Sequence, residues 1–229
     1  MVKSLEKLTA IGFNFRRAMR KIFGNRNKFS GSKDYWISRY SSGGNSGDGS
    51  YQHLAEFKAE ILNDFVRVKN IKTVIEFGCG DGNQLTLSRY PSYVGFDVSP
   101  VALRQCRTLF SNDKSKEFKL VSEYAQERAD LALSLDVIYH LVENEIFERY
   151  MERLFDASNE FVIIYSSDSD GLAEKTAAHV RHRKFSNWIM NKRPSWELLE
   201  KVKNRYPYDG NTKTGSFADF YFYQIKKST

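Results

Sequence analysis

A short glycine-rich segment between two predicted strands has the composition of a ligand-binding loop. It reads EFGCGDGN at 76–83 and follows an apolar, β-rich run. Glycine lets the backbone turn tightly and lets a ligand approach the main chain closely. Asp97 ends the next predicted strand, and the carboxyl ends of neighbouring parallel strands meet at one crevice. An acid there can accept both hydroxyls of a ribose, so the spacing of Glu76, the glycines and Asp97 predicts a nucleoside-bearing ligand.

The glycine spacing distinguishes between two kinds of nucleoside ligand. A dinucleotide fingerprint, G-x-G-x-x-G, would need a glycine at the position of Asn83. The pattern E-x-G-x-G-x-G instead resembles motif I of class I S-adenosylmethionine (SAM) methyltransferases. That resemblance implies that Glu76 engages the methionine ammonium, that the glycines pass under the amino-acid part, and that Asp97 holds the ribose. The residues expected to contact this cofactor are Glu76, Gly78, Cys79, Gly80, Gly82, Asn83, Asp97, Val98, Glu123, Tyr124 and Leu135.

The segment ADLALSLDVIYHL at 129–141 resembles the fourth-strand motif of small-molecule methyltransferases. The resemblance places Asp136 and His140 beside the transferred methyl group. His140 is a candidate base because imidazole titrates near neutral pH; the alternative is a histidine that only closes the cofactor pocket. Asp136 is either a catalytic-site residue or a cap for the following helix. The sequence SLDV at 134–137, in place of Asn-Pro-Pro-Tyr, argues against amide and exocyclic-amine methyltransferases.

Two aromatic and basic clusters are candidates for binding the acceptor. Tyr35, Trp36 and Arg39 precede a glycine- and serine-rich stretch and could form a lid, with that stretch as its hinge. The run HVRHRK follows the fifth predicted strand, where the family has substrate determinants, and arginine suits oxyanions. The alternative for this run is a solvated helix face. The predicted acceptor-binding residues are therefore Tyr35, Trp36, Arg39, His179, Arg181, His182 and Arg183.

Apolar strand-like runs that alternate with helical patterns must position these residues. The strands are predicted at 73–77, 93–96, 118–121, 131–135, 161–165, 198–205 and 217–225, and the helices at 51–69, 83–89, 99–110 and 143–155. Continuous apolar strands separated by helices indicate a parallel sheet that is covered on both faces. The last two strands have no helix between them and predict an antiparallel pair. We expect an α/β, Rossmann-like, seven-stranded and mostly parallel sheet, which agrees with the resemblance.

The net charge of +7 is concentrated in residues 1–30, since the rest of the chain holds 27 basic and 27 acidic residues. Apolar residues recur in this arm at three- and four-residue spacing, which predicts a basic amphipathic helix. Such a helix can lie on an anionic membrane; packing on the body and fraying are the alternatives. The predicted domains are the arm, 1–30, and a methyltransferase domain, 31–229, in which 31–50 is a flexible lid or loop.

Composition and further motifs narrow the function. Two cysteines provide neither a disulfide framework nor a four-cysteine zinc site, so we expect a cytoplasmic protein with no metal. The neutral body makes a nucleic-acid partner unfavourable. YWxxRY, GGNSGDGS and HVRHRKF, together with the motifs above, resemble bacterial stand-alone methyltransferases linked to cell-surface polysaccharide. The expected reaction is O-methylation of a glycan, nucleotide sugar or phosphorylated small molecule at the inner face of the membrane. An RNA or protein methyltransferase, or an inactive SAM-binding module, is the alternative, and the oligomeric state stays open.

Overall fold

The computed structural model describes residues 29–171 and 177–227. The chain divides into two compact units, Met1–Ser30 and Gly31–Thr229. The predicted amphipathic helix of the arm falls almost wholly on residues 1–28, outside the described part. In the part that is described, no helix combines the length and the apolar character needed to cross a membrane.

The core of this unit is one seven-stranded sheet. Its strands are β1 (Thr73–Phe77), β2 (Ser92–Asp97), β3 (Lys116–Leu120), β4 (Ala129–Leu135), β5 (Ser158–Ser166), β6 (Trp196–Val202) and β7 (Asp219–Ile225). Their order across the sheet is β3-β2-β1-β4-β5-β7-β6. Strands β1 to β5 pair in parallel, whereas β7 runs antiparallel to both β5 and β6. The predicted fold class, including the antiparallel C-terminal pair, is confirmed.

Helices cover both faces of the sheet. They are α1 (Ser32–Ser41), α2 (Gln52–Val68), α3 (Pro100–Leu109), α4 (Asn144–Asp156) and α5 (Phe185–Lys192). Apolar residues of α2 and α3 pack in one buried cluster, while those of α4 and α5 pack in a second. In β1, Val74 points into the first cluster and Ile75 into the second. The strands read as continuous apolar runs because both of their faces are buried.

Two segments differ locally from the prediction. The segment 31–50 was expected to be a flexible lid or loop, and within it Ser32–Ser41 is a helix. The Ser32 hydroxyl donates to Glu143 Oε2 at 2.6 Å, and the Ser32 amide donates to Oε1 at 2.9 Å, 111 residues away in sequence. These long-range contacts stabilise a helix that local composition does not favour. The helix expected at 83–89 is only a short 3₁₀ turn, Gln84–Leu87, and Ser88 after it is extended.

Candidate active site

The glycine loop follows β1 in a conformation that side chains rarely adopt. Gly78 and Gly80 have φ values of 90° and 60°. A Cβ atom at Gly78 would collide with Val137, and one at Gly80 would collide with the Ser46 hydroxyl. The Gly78 and Cys79 amides donate to the Phe96 carbonyl, which ties the loop to β2. The loop therefore needs glycine for its turn and for its close packing against two neighbouring segments.

Beside this loop lies an inner cavity at the carboxyl ends of β1, β2 and β4. Its lining includes Glu76, Gly78, Cys79, Gly80, Asp97 and Leu135 from the predicted set. Glu76 accepts a hydrogen bond from the Tyr93 hydroxyl at 2.7 Å, and Asp97 accepts the amides of Gly80 and Ser99. Burial raises the pKa of Glu76 to about 7 and that of Asp97 to about 6. Two buried carboxylates that have no cationic hydrogen-bond partner among the described residues favour a ligand that brings a cation and hydroxyl donors.

A third carboxylate of the inner cavity, Asp136, has both of its oxygens engaged. Lys58 of α2 is 1% exposed and donates to Asp136 Oδ2 at 2.6 Å. The Tyr139 hydroxyl donates to Oδ1 at 2.7 Å. Asp136 follows β4 with a φ of 60°, a conformation that these partners stabilise. Asp136 therefore fixes the turn that carries His140, which is a positioning role beside the cavity.

His140 lies where the inner cavity meets a second, outer cavity, and it lines both. Its Nδ1 is 3.1 Å from the carbonyl oxygen of His179. Because a carbonyl can only accept, Nδ1 carries the proton and Nε2 keeps a lone pair. Burial lowers the pKa of His140 to about 4. The imidazole is thus neutral at physiological pH and presents an unprotonated nitrogen, as a general base must.

The outer cavity is lined mainly by rings. Of the residues predicted to bind the acceptor, it includes Tyr35, Trp36, Arg39, His179 and His182. Tyr35 stacks on His179 with ring centroids 4.1 Å apart, and Trp36 packs edge-on against His140 at 5.0 Å. Burial lowers the pKa of both His179 and His182. These rings line the outer cavity together with three charged residues, Arg39, Asp48 and Asp136, and the two cavities adjoin at His140 and Asp136.

The sequence of residues 51–204 matches a family model described as a methyltransferase domain. The chain belongs to this methyltransferase family. The family assignment confirms the prediction of S-adenosylmethionine as the cofactor. The inner cavity fits such a group, because it combines two buried carboxylates with a tightly turned glycine loop. A Cβ atom in this loop would collide with Val137 or Ser46 of the cavity lining. The inner cavity also holds the buried amide oxygen of Gln84, which has no hydrogen-bond partner among the described residues.

Solved structures show the same fold at low sequence identity. The N-methyltransferase NodS from Bradyrhizobium japonicum WM9, in complex with S-adenosyl-L-homocysteine, is 11% identical; the match covers 86% of this chain and 100% of NodS, with a TM-score of 0.64. The methyltransferase domain of bacterial CtHen1 is 18% identical over 76% of this chain and 100% of its own, with a TM-score of 0.60.

A third solved structure has a similar likeness. Magnesium protoporphyrin IX methyltransferase from Synechocystis PCC 6803, with bound SAM, is 10% identical over 85% of this chain and 97% of its own, with a TM-score of 0.60. No curated protein sequence matches this chain significantly.

The structure does not bring two of the predicted acceptor-binding arginines to the outer cavity of this methyltransferase. Arg183 is buried and donates to the carbonyls of Leu141 and Val142, and Arg181 also donates to Val142. Neither arginine lines the cavity. A guanidinium group carries several hydrogen-bond donors, and here both arginines donate to backbone carbonyls just after His140. These arginines therefore support the turn that carries His140.

Several residues predicted to contact the cofactor also lie outside the lining of the inner cavity. Glu123 accepts the Leu120 amide and closes its own turn, and Tyr124 packs on Phe77 and Phe96. Gly82, Asn83 and Val98 flank the cavity without lining it. The side-chain amide of Asn83 donates instead to the Ser50 carbonyl at 2.6 Å. The contacts expected for Glu123 and Tyr124 came from the resemblance alone, which does not fix positions after β3.

Three side chains outside the predicted set of site residues also shape the inner cavity. The Ser46 amide donates to Asp81 Oδ2 at 2.9 Å, and the Asp81 amide donates to Ser46 Oγ at 3.0 Å. The Tyr40 hydroxyl pairs with the same Ser46 oxygen. This reciprocal pair fastens the segment after α1 to the glycine loop. Lys58 did give a signal in the sequence, because it is a charge between Leu54 and Leu62 on the apolar face of α2.

Proposed function

We propose that this SAM-dependent methyltransferase transfers a methyl group to a hydroxyl oxygen of a small ring-bearing acceptor. The acceptor classes are a glycan unit, a nucleotide sugar or a phosphorylated small molecule, in the context of bacterial cell-surface polysaccharide. One observation carries the proposal: His140 lines both cavities, and its Nδ1 contacts the His179 carbonyl, which leaves Nε2 unprotonated. A base is useful for a hydroxyl acceptor, whose proton must leave as the oxygen gains a methyl group.

The chain's own residues account for the proton and for the orientation of the base. When bound, SAM supplies an electrophilic methyl group on a positively charged sulfur. His140 Nε2 accepts the proton of the acceptor hydroxyl as the new oxygen–carbon bond forms, so the positive charge passes to the imidazole. The carbonyl of His179 holds the ring by its other nitrogen. Lys58, Asp136 and Tyr139 keep the turn in place, and positioning of this kind contributes directly to rate.

The charge of the outer cavity narrows the acceptor class. Three charged side chains line it among the described residues: Arg39, Asp48 and Asp136. Asp136 pairs with Lys58 and Asp48 accepts from Thr212, whereas Arg39 pairs with no carboxylate in the described chain. Its guanidinium donates to the Asn45 carbonyl and to the Tyr35 hydroxyl. Because one guanidinium supports one anionic group, a neutral sugar or a monoanionic acceptor fits better than a densely phosphorylated one.

The basic arm adds a proposal about location. Residues 1–30 carry eight basic side chains and one acidic side chain, which suits contact with an anionic membrane surface. We expect the full chain to float with vesicles that contain anionic lipid and a variant that lacks residues 1–30 to stay behind. Equal flotation of both proteins would contradict this location.

The first experiment tests the cofactor and then the acceptor. In a thermal-shift titration, SAM or its demethylated product at 100 times its dissociation constant should stabilise the chain by about 2.7 kcal/mol and raise Tm by about 5–11 °C. Asp97→Ala should abolish the shift, whereas Asp64→Ala, at an exposed carboxylate outside both cavities, should keep it. NAD should have no effect.

The acceptor is then sought with isotopically labelled SAM and a panel of nucleotide sugars, glycosides, RNA and protein. Label on a hydroxyl of a small acceptor supports the proposal. Label on RNA or protein that is lost when residues 1–30 are deleted would contradict it. A clear thermal shift with no transfer to any acceptor would indicate an inactive SAM-binding module.

A further inference from the structure

The loop between β6 and β7 presents two exposed aromatic side chains to the outer cavity. Tyr208 is 38% exposed and Phe217 is 39% exposed. Their rings stack with centroids 3.8 Å apart and planes inclined by 29°. Both residues line the outer cavity together with Ser216 and Thr212. We call Tyr208 and Phe217 the aromatic platform. Exposed aromatic area beside a cavity is typical of a surface that binds the flat face of a ring.

The platform is held in place by the loop that carries it. The Tyr208 amide donates to the Ser216 carbonyl at 3.0 Å, and the Ser216 amide donates to the Tyr206 carbonyl at 2.9 Å. Thr212 Oγ1 donates to Asp48 Oδ2 at 2.7 Å, which ties the tip of the loop to the segment after α1. The backbone that carries the two rings is therefore held by hydrogen bonds, and binding a ligand there would cost little conformational entropy.

A buried polar atom lies beside the platform. His182 is 8% exposed and lines the same cavity. Its Nδ1 is 2.5 Å from Ser167 Oγ, and its ring packs edge-on against Phe217 with centroids 5.3 Å apart. Nε2 is buried and has no hydrogen-bond partner in the described part of the chain. An unmatched buried polar atom is costly, and a ligand hydroxyl would satisfy it.

A chain of neighbouring rings in the outer cavity connects the platform with the proposed base. The Tyr139 ring is 4.6 Å from the His140 ring and 5.8 Å from the His182 ring, measured between centroids. A single aromatic residue thus separates the point of methyl transfer from His182. An acceptor whose reactive hydroxyl contacts His140 would reach His182 and the platform with its next ring.

We infer that Tyr208, Phe217 and His182 form a second ring subsite, and that the acceptor contains two linked rings. The ring nearer His140 carries the methylated hydroxyl. The farther ring stacks on the platform and directs a hydrogen-bonding oxygen toward His182. This inference rests on the proposed function for the direction of the acceptor, but the subsite itself is a binding property that needs no turnover.

Matched one-ring and two-ring probes test the subsite. Saturation-transfer NMR on the full chain, with and without S-adenosylhomocysteine, compares methyl glycosides with p-nitrophenyl glycosides and with disaccharides of the same sugar. We expect the two-ring probes to bind about fivefold more tightly than the methyl glycoside, the range that one aromatic stacking contact supports. The aryl glycosides and the disaccharides distinguish an aromatic second ring from a sugar.

Variants of Tyr208 and Phe217 test whether the aromatic platform causes the tighter binding of two-ring probes. Tyr208→Ala and Phe217→Ala should each remove most of the two-ring advantage and leave binding of the methyl glycoside within about twofold. Tyr208→Phe keeps the stacked ring and should keep the advantage. Leu109→Ala, at an exposed apolar residue of α3 outside the outer cavity, serves as the matched control.

Other outcomes separate failure of the subsite from failure of the function. Equal binding of one-ring and two-ring probes, no binding of any two-ring probe, or a uniform loss for all probes in the platform variants would overturn the subsite. Failure of S-adenosylhomocysteine to shift Tm would overturn the proposed function. The probe comparison made without that ligand would still decide the subsite.

Discussion

The two cavities that meet at His140 are built in different ways. The inner cavity is made by the glycine loop and by carboxylates at the ends of adjacent strands, with Lys58 balancing Asp136. The outer cavity is made by rings from α1, from the segment after β5 and from the β6–β7 loop. The inner cavity is rich in carboxylates and glycine backbone, whereas the outer cavity is rich in aromatic rings. The contrast suits the proposed division between a cationic cofactor and a ring-bearing acceptor, and His140 lines both cavities.

Removing the proposed base tests the boundary between the cavities and should have the largest effect. In His140→Asn, the side-chain amide can still donate to the His179 carbonyl, but Nε2 is lost. We expect kcat to fall by about 10²–10⁴-fold while the cofactor Kd stays within about twofold. Steady-state kinetics and calorimetry measure the two quantities. A parallel loss of turnover and cofactor binding would make His140 a wall of the inner cavity and not a base.

The pH profile sharpens this result. Burial lowers the pKa of His140 to about 4, so the imidazole stays neutral and able to accept a proton down to that pH. Three neighbours also bear on this pKa: the hydrogen bond to the His179 carbonyl and the charge of Asp136 raise it, whereas the His179 ring and Arg39 lower it. The acidic limb of kcat/KM that reports this group should therefore lie near pH 4, well below the ordinary value of about 6.5. A limb for this group near 6.5 would contradict the assignment.

The next largest effect concerns the buried ion pair of the inner cavity. Lys58→Met leaves the Asp136 carboxylate without its cation in a site that water barely reaches. We expect unfolding to require about 3–5 kcal/mol less free energy, which lowers Tm by about 6–20 °C. The double variant Lys58→Met/Asp136→Asn removes both charges and should recover most of the loss.

Chemical denaturation of the wild type, both single variants and the double variant gives the coupling between the two residues. A coupling below about 0.5 kcal/mol would show that the pair does not stabilise the fold. The inner cavity would then owe its shape to the glycine loop and the strands.

The same contrast between the two cavities explains how much of the fold and of the site could be predicted from the sequence. The glycine loop, Asp97 and the positions of the strands along the chain depend on short local patterns, and the sequence predicted them closely. The helix Ser32–Ser41 depends on Glu143, and the position of Asp136 depends on Lys58, 78 residues earlier. Arg183 was expected to bind the acceptor because its charge is evident from the sequence. The backbone carbonyls to which it donates could not be predicted, because they lie about 40 residues earlier. Contacts between distant segments form the outer cavity, so its aromatic platform had no local signal.

The smallest predicted effect is a proton release on cofactor binding, which involves the carboxylates of the inner cavity and not the rings of the outer cavity. Because burial raises the pKa of Glu76 to about 7, this group is largely protonated at pH 6.5. A cationic ligand favours the carboxylate, so binding should lower this pKa and release a proton. The amino group of SAM is already protonated at that pH and takes up no proton.

Calorimetry in buffers of different ionisation enthalpy counts the released protons. We expect more than about half a proton per bound SAM at pH 6.5 and almost none from Glu76 above about pH 8, with affinity rising as pH increases through this range. Glu76→Gln should remove most of the release, because an amide cannot ionise. A release that persists in Glu76→Gln would assign the proton to Asp97, whose raised pKa of about 6 makes it the other buried acid able to contribute. No release in the wild type would mean that Glu76 is already ionised, and the inner cavity would then attract the cofactor by a charge that is present before binding.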